Sequence, residues 1–350
     1  MREGFLLDPE VAYFNHGGFG ACTVEVFEEY QRLQRELERE PTAFFNRGFE
    51  DALNDARAAL ASFVGARADD LVFTPNATSA LNAVIRSLRI RQNEEILTTK
   101  HEYGAVLRTL GFIRANVVLV EPEDLIARIG IRTRAVVVSH ITSPTALVLP
   151  VEEVCEATRK AGVLSIVDGA HVPGHMPLDV DAIGADVYAG NCHKWLCAPK
   201  GAGFLWARPE HQEWIEPLVI SWGYHEDAGF GERHGWQGTR DPAAYLAVPK
   251  AIEVHAAVDS DRARALADEA ETALAPYGLR PLRGARSPLM RAFTVRTSEP
   301  DELWRRLYDE HHVEVPVYEW EETSLLRVSI GPYNDEADLE RLVAALRAVL

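Results

Sequence analysis

Short apolar runs alternate with amphipathic segments along most of the chain. Runs typical of buried strands lie at residues 71–74, 95–99, 117–120, 135–139 and 163–167. Apolar side chains at helical spacing predict helices at residues 22–40, 49–64, 79–88 and 151–161. Short strands that alternate with helices predict an α/β fold with a mostly parallel sheet covered on both faces.

The pattern changes in the last third of the chain. A predicted helix at residues 242–258 leads into a part with strands at 289–295 and 325–330 and helices at 300–310 and 335–349. That order is typical of an α+β lobe. We therefore predict an N-terminal arm over residues 1–20, ending in a flexible glycine turn, a large domain over 21–250 and a small C-terminal domain over 251–350.

Composition narrows the function class. The 350 residues carry a net charge of −17, with 47% hydrophobic and 25% charged residues, as in a soluble globular enzyme. The negative charge disfavours nucleic acid and anionic membranes as partners, and no apolar run is long enough to span a bilayer. The N-terminus does not resemble a signal peptide, so we expect a cytoplasmic protein.

Cysteine and histidine positions do not predict a metal site. Cys22, Cys155, Cys192 and Cys197 lack metal-binding or redox spacing, and free thiols fit a reducing cytoplasm. His171, His175 and His193 lie near one another in sequence but do not form a zinc pattern.

A carboxylate and a lysine follow two neighbouring apolar stretches. Asp168 comes directly after the run at 163–167, and the stretch 186–190 leads to His193 and Lys194. Either residue alone is ordinary, since most lysines are solvated and such aspartates often cap a helix. Together they suit pyridoxal 5'-phosphate, whose aldehyde forms a Schiff base with a lysine and whose ring nitrogen pairs with a carboxylate.

Two further segments offer anion sites. Asn76, Ala77 and Thr78 lie between a strand and a helix start, where free amide groups bind phosphate, although Thr78 or Ser79 could simply cap the helix. Arg327 lies on an apolar strand and needs an anion. A substrate α-carboxylate suits its planar fork, and the alternative is a structural ion pair with Glu321 or Glu322.

An ordered set of segments resembles the class V aminotransferase family of fold type I pyridoxal phosphate enzymes, and within it the isopenicillin N epimerase-like proteins, cysteine desulfhydrases and sulfoxide C–S lyases. The segments are 76–81, 101–105, 140–145, 168–171, 193–194, 238–241 and 327–329. The resemblance implies a large domain with a mostly parallel seven-stranded sheet, a small C-terminal α+β domain and a homodimer with shared active sites.

The resemblance also implies roles for individual residues. Lys194 would hold the cofactor as an aldimine, Asp168 would pair with its ring nitrogen, and His171 and Ser143 would bind its phenolic oxygen. His101 would stack on the ring, and Tyr103 could take that place or act as an acid. The residues implied to hold the phosphate are Asn76, Ala77, Thr78, Asn191 and His193, with Thr239 from the neighbouring subunit. The residues expected at the substrate entrance are Asn15, His16 and Arg47. Phe44 and Phe45 could lie there too, but they could equally belong to the core. Arg327 would bind the substrate carboxylate.

The residues leave the reaction open. Removal of the Cα proton of an amino acid or amino-acid conjugate gives a quinonoid, from which epimerisation, C–S cleavage or transamination can follow. By analogy we favour an epimerase-like or C–S lyase-like enzyme over an aminotransferase or a non-catalytic pyridoxal-binding protein. No cysteine follows Cys197, which argues against a desulfurase that relays a persulfide.

Overall fold

A computed structural model describes residues 2–350. The strands are β1 Ala12–Tyr13, β2 Leu71–Thr74, β3 Glu95–Thr99, β4 Val117–Val120, β5 Thr133–Ser139, β6 Leu164–Gly169, β7 Val187–Asn191, β8 Gly203–Ala207, β9 Arg280–Pro281, β10 Met290–Val295, β11 Val313–Glu314, β12 Val317–Trp320 and β13 Thr323–Ser329. The helices are α1 His16–Phe19, α2 Val24–Arg39, α3 Pro41–Arg47, α4 Phe49–Val64, α5 Ala77–Ser87, α6 Gly104–Phe112, α7 Leu125–Arg128, α8 Val151–Ala161, α9 Val180–Ile183, α10 Pro209–Gln212, α11 Phe230–Gly235, α12 Ala243–Leu246, α13 Val248–His255, α14 Ser260–Leu274, α15 Pro300–His311 and α16 Glu336–Val349. None of these helices is both long and apolar enough to cross a bilayer.

The large lobe is built on a seven-stranded sheet with the order β2-β8-β7-β6-β5-β3-β4. Neighbouring strands from β7 through β4 run parallel, and β8 runs antiparallel to both β2 and β7. The predicted mostly parallel seven-stranded sheet is therefore confirmed. We did not predict β8, because no helix separates it from β7. An antiparallel strand can follow its neighbour through a loop alone, here the Lys194 loop.

Alternate side chains of the central strands enter two different cores. On β5, Val136 and Val138 are fully buried against one helical layer, while Val137 is fully buried against the other. Successive side chains of a strand point to opposite faces, so a strand covered on both faces needs an unbroken apolar run. This is why the run at 135–139 lacks polar alternation.

The C-terminal lobe has an antiparallel sheet with the order β12-β13-β10-β9 and a core of its own. The single helix that we predicted at 242–258 is wrong, because the chain forms α12 and then α13, which begins with Pro249 in its first turn. Proline lacks the amide hydrogen that a continuous helix would need there. Val248 and Ala251 of α13 still pack in the large lobe, whereas Ala263 of α14 belongs to the C-terminal core.

The N-terminal residues are built into the C-terminal lobe. β1 pairs in parallel with β11, and the side chains of Ala12 and Phe14 are fully buried in the C-terminal core. The expected flexible glycine turn is wrong, since residues 16–19 form α1. A Cβ on Gly17 would lie 2.7 Å from the Met290 sulfur, and one on Gly20, whose φ is +70°, would lie 1.9 Å from the His193 carbonyl oxygen. These glycines permit close packing beside the Lys194 loop.

Candidate active site

The ends of β5, β6 and β7 meet at one edge of the large sheet. Ser139, Asp168 and Ala189 lie side by side in register on these parallel strands, and Asn191 ends β7. Open α/β sheets bind ligands outside the carboxyl ends of their strands. A cavity of about 250 Å³ lies there. The predicted site residues that line it are Asn76, Ala77, Thr78, Tyr103, Ser143, Asp168, His171, Asn191, His193 and Lys194.

Lys194 lies in the loop between β7 and β8. The loop closes through hydrogen bonds from the Cys197 amide to the Lys194 carbonyl oxygen, 3.1 Å, and from the Ala198 amide to the Cys192 carbonyl oxygen, 3.1 Å. The Lys194 Nζ atom lies 3.0 Å from Nε2 of His171. Burial, with a smaller effect of Arg327, lowers the pKa of Lys194 to about 7. A substantial fraction of the amine is therefore neutral at neutral pH, as a nucleophilic lysine requires.

Asp168 lines the cavity, and a second buried carboxyl group, Glu102, lines a hollow next to it. Asp168 accepts a 2.8 Å hydrogen bond from the Ala170 amide, and burial raises its pKa. Glu102 accepts hydrogen bonds from the Ser139 hydroxyl, 2.7 Å, and the Tyr103 amide, 2.8 Å. Burial, and then the Asp168 charge, raise the pKa of Glu102 to about 7. Sequence reasoning missed Glu102, although an acidic residue directly after an apolar strand was a usable signal.

The start of α5 offers hydrogen-bond donors to the cavity. Asn76 caps the helix by accepting a 2.8 Å bond from the Ser79 amide, so the alternative caps Thr78 and Ser79 are wrong. The Ala77 amide donates to Asn191 Oδ1 at 2.8 Å. The Thr78 amide, in the first helical turn, has no intrahelical acceptor. His193 Nδ1 lies 3.1 Å from the Ala202 carbonyl oxygen, which leaves its Nε2 for a ligand.

Arg327 opens onto a second hollow of about 310 Å³ that shares Tyr103 and Ser143 with the cavity. Its Nη1 donates to the Ser143 carbonyl oxygen at 2.6 Å and to the Ser143 hydroxyl at 3.2 Å, and its Nε has no partner. Within residues 2–350 no carboxylate oxygen lies within 4.0 Å of this guanidinium, so the ion pair with Glu321 or Glu322 is not observed. The side chain of Arg327 is nevertheless buried.

Several predicted site residues do not line the cavity. His101 Nδ1 lies 2.7 Å from the Thr145 hydroxyl and its ring meets Trp320 edge-on, so the geometry favours Tyr103 over His101 as the ring that faces the cofactor. His16 is fully buried behind the lysine loop, with Nε2 3.1 Å from the Lys194 carbonyl oxygen. The side-chain amide of Asn15 donates a 2.9 Å hydrogen bond to the Glu314 carboxylate. In the arm, Gly18 and Phe19 line the cavity instead.

Arg47 and Thr239 are exposed and lie outside the cavity of their own chain. Phe44 and Phe45 join Phe49 in an aromatic cluster, and the Phe45 ring meets Trp236 at 5.5 Å. Through Trp236, that cluster packs against the segment that carries Thr239.

Comparison with known proteins identifies the family. The family model described as Aminotransferase class-V matches residues 22–342. The chain belongs to this family of pyridoxal phosphate-dependent enzymes. It is 34% identical to isopenicillin N epimerase of Streptomyces clavuligerus, with 99% of this chain and 97% of the relative covered. It is 26% identical to a probable chloroplastic L-cysteine desulfhydrase of Arabidopsis thaliana, with 98% and 84% covered.

Solved structures share the fold. A cystine C–S lyase, C-DES, in complex with cysteine persulfide matches with a TM-score of 0.83 and 23% identity, and 97% of each chain is covered. The fold type I predicted from the sequence is thus confirmed, and membership of the class V family confirms the predicted pyridoxal phosphate. The residues of this chain fit the cofactor, because the cavity combines a lysine with a lowered pKa, a buried carboxyl without a cationic partner within 4.0 Å and a helix start with a free amide.

Proposed function

We propose that this enzyme removes a proton from Cα of an α-amino acid or amino-acid conjugate and returns it, with epimerisation as the outcome. Arg327 carries the proposal. A buried guanidinium beside the lysine cavity, with no carboxylate oxygen of residues 2–350 within 4.0 Å, suits a substrate α-carboxylate, since its fork can bind both oxygens. A substrate held there would present its amino group and Cα to Lys194.

The residues divide the work around the cofactor. When bound, pyridoxal phosphate supplies a ring that withdraws electrons from Cα. Lys194 would bear the cofactor and, once released, carry the Cα proton. Asp168 would hold the protonated ring nitrogen. Thr78 and His193 would hold the phosphate.

Tyr103 supports epimerisation in particular. Inversion at Cα requires a proton to leave from one face and to return on the other. Tyr103 lines both the lysine cavity and the Arg327 hollow, so its hydroxyl can act as a second proton donor apart from Lys194. The full-length similarity to isopenicillin N epimerase supports the same outcome.

Cleavage of a C–S bond is the second candidate. The similarity to desulfhydrases favours this reaction. Among residues 2–350, none of the cysteines lines the cavity or the Arg327 hollow. Cys155, Cys192 and Cys197 are buried and Cys22 is half-buried. If the enzyme cleaves C–S bonds, we expect the sulfur to leave as a free product instead of as a persulfide on the protein.

Deuterium exchange separates these reactions. The holoenzyme is incubated in D₂O with L- and D-amino acids, cysteine conjugates and their sulfoxides. Epimerisation gives deuterium at Cα together with the opposite enantiomer, whereas elimination gives pyruvate and the sulfur fragment. Formation of a keto acid that keeps the whole side chain of the substrate, including any sulfur, would instead identify an aminotransferase and contradict the proposal.

The role of Lys194 has its own test. Borohydride should fix the cofactor to Lys194 in the wild-type enzyme and in a Lys200→Ala control, and not in Lys194→Ala. Lys200 is a suitable control because it lies in the same loop, with Nζ 3.1 Å from the Gly20 carbonyl oxygen. A bond fixed at another lysine in Lys194→Ala would contradict the assignment.

We infer that two copies share their active sites. Thr239 is exposed in its own chain, and the preceding segment exposes Val219, Ile220 and Trp222, of which Trp222 is 91% exposed. Large apolar side chains of this kind mark an interface. Mixing inactive Lys194→Ala and Thr239→Arg enzymes should restore activity, because the heterodimer contains one undamaged site. Heterodimers without activity would contradict the shared site.

We also propose a cytoplasmic location. The four cysteines are free thiols, which suits a reducing compartment. Cell fractionation tests this, and recovery of the protein outside the cytoplasm would contradict it.

A further inference from the structure

The indole of Trp195 is packed between two buried imidazoles. The His175 ring lies 4.0 Å from it at an interplanar angle of 35°, and the His16 ring lies 4.9 Å away on a tilted plane. Trp195 itself is 2% exposed. This packing fixes the direction of the indole N–H, which points at His171, with Nε1 3.4 Å from Nδ1.

The neighbouring histidines are neutral. Burial lowers the pKa of His16 and of His175 to about 3. The Leu289 amide donates to His175 Nε2 at 2.9 Å, so the proton of that ring is on Nδ1, 2.9 Å from the His171 carbonyl oxygen. His175 therefore holds both the indole and the main chain of His171.

We propose that Trp195 is a positioning residue that holds His171 in the tautomer with its proton on Nε2. An indole nitrogen can only donate, so the His171 nitrogen that faces it must accept. In a neutral imidazole the one proton then lies on the other nitrogen. That nitrogen is 3.0 Å from Nζ of Lys194. Burial keeps His171 neutral by lowering its pKa well below the usual value.

The tautomer matters for the chemistry of Lys194. An N–H on Nε2 can donate to the lone pair of a neutral amine or to an oxygen of the bound cofactor. The opposite tautomer would offer Lys194 a lone pair, which favours the ammonium form. Its Nδ1 hydrogen would also face the indole hydrogen. Trp195 thus helps to keep the lysine reactive, an inference that rests on the proposed roles of Lys194 and His171.

Trp195→Phe keeps an aromatic ring but removes the N–H. Trp206→Phe is the matched control, because Trp206 is 3% exposed and its indole nitrogen has no hydrogen-bond partner. In the full-length chain without added cofactor, nitrogen-15 NMR of labelled histidine reports the His171 tautomer. We expect the Nε2–H form in the wild type and in the control, and a mixture in Trp195→Phe.

Two readouts connect the tautomer to Lys194. The rate at which the chain captures pyridoxal phosphate depends on the neutral amine of Lys194. The pH at which this rate is half of its maximum should rise by about one unit in Trp195→Phe, which corresponds to a tenfold change in the protonation of the amine. In the holoenzyme, kcat should fall about tenfold while KM changes less than about twofold. A purely structural tryptophan would lower thermal stability without moving the pH midpoint.

An Nδ1–H tautomer in the wild type would overturn the proposal, and that measurement stands even if Trp195→Phe does not fold. An unmoved pH midpoint and tautomer in a folded Trp195→Phe would overturn it as well. If the tautomer and the midpoint shift as expected but no amino acid is turned over by the wild type, the inference about Trp195 holds and the proposed function fails.

Discussion

The two faces of the C-terminal sheet each bury an arginine, and the two arginines have opposite surroundings. Arg291 on β10 lies opposite Val328, and Arg327 on β13 lies opposite Ala292, so the two side chains point to opposite faces of the sheet. They are 5% and 7% exposed. Arg291 pairs with Glu271 at 2.5 Å and Asp268 at 2.6 Å, both on α14. Among residues 2–350, the guanidinium of Arg327 has only the two oxygens of Ser143 as hydrogen-bond partners.

We propose that the difference separates a charge that maintains the fold from a charge that serves a ligand. A buried cation is costly unless an anion compensates it. The face that packs on α14 supplies that anion from the chain. The face toward Lys194 does not, so a substrate carboxylate is the natural complement. Burial and charge alone would not distinguish the two arginines.

Arg327→Ala should have the largest effect. Loss of a bidentate carboxylate contact in a buried site costs about 4 kcal/mol, so kcat/KM should fall about a thousandfold. Steady-state kinetics measure this, and Arg327→Lys should restore activity only in part because lysine lacks the fork. The same loss on a substrate whose carboxylate is replaced by an amide would show that Arg327 acts in some other way.

Arg291→Ala should affect stability instead of activity. Removal of Arg291 leaves the largely buried Glu271 with only the half-exposed Arg286, 2.8 Å away, and urea unfolding should show a loss of about 3 kcal/mol. The kcat/KM of the folded enzyme should stay within about twofold. Asp268→Ala is the control, since the Asp268 side chain is 70% exposed and its removal should cost less than about 1 kcal/mol. A catalytic defect in stable Arg291→Ala would remove the contrast between the faces.

A variant of Glu102 tests whether Arg327 has an ion-pair partner in the hollow that both residues line. The pKa of Glu102 is raised from 4.5 to about 7, first by burial and then by Asp168. The unfolded chain releases this proton near pH 4.5, whereas the folded chain holds it to about pH 7. The wild-type chain without cofactor should therefore lose stability relative to Glu102→Gln as the pH rises between these values, by on the order of 2 kcal/mol.

If Glu102 were the ion-pair partner of Arg327, its pKa would be lowered. The wild type would then gain stability relative to Glu102→Gln as the pH rises. A trend of that sign would assign Arg327 a partner within the chain.

Arg327→Met should give the smallest change in the free energy of unfolding, and the sign of that change is the informative result. Replacing a buried charge that lacks a carboxylate with an apolar side chain should stabilise the protein without substrate by about 1 kcal/mol. Arg291→Met should destabilise it, because the largely buried Glu271 then keeps only the half-exposed Arg286 as a partner. Urea unfolding of both variants without substrate measures the pair. Destabilisation by Arg327→Met would mean that the chain already compensates this charge.

Much of the large lobe could be predicted from the sequence because its signals are local. An unbroken apolar run such as residues 135–139 fits a strand covered on both faces, and Asp168 and Lys194 follow two such stretches. β8 pairs with β2, and β1 pairs with β11 in the C-terminal lobe. In both pairs the two strands are more than a hundred residues apart in the sequence. No local pattern encodes such pairings.

The sequence by itself determined the fold class and the family and predicted the lysine and carboxylate of the cofactor site, because spacing and residue type are enough for these. Only the tertiary structure decided which side chains compensate one another. It separated Arg291 from Arg327, brought Glu102 into the hollow beside Arg327 and directed the Trp195 indole at His171. Charge compensation and hydrogen-bond direction depend on distances of a few ångströms between remote segments, and a linear pattern does not contain those distances.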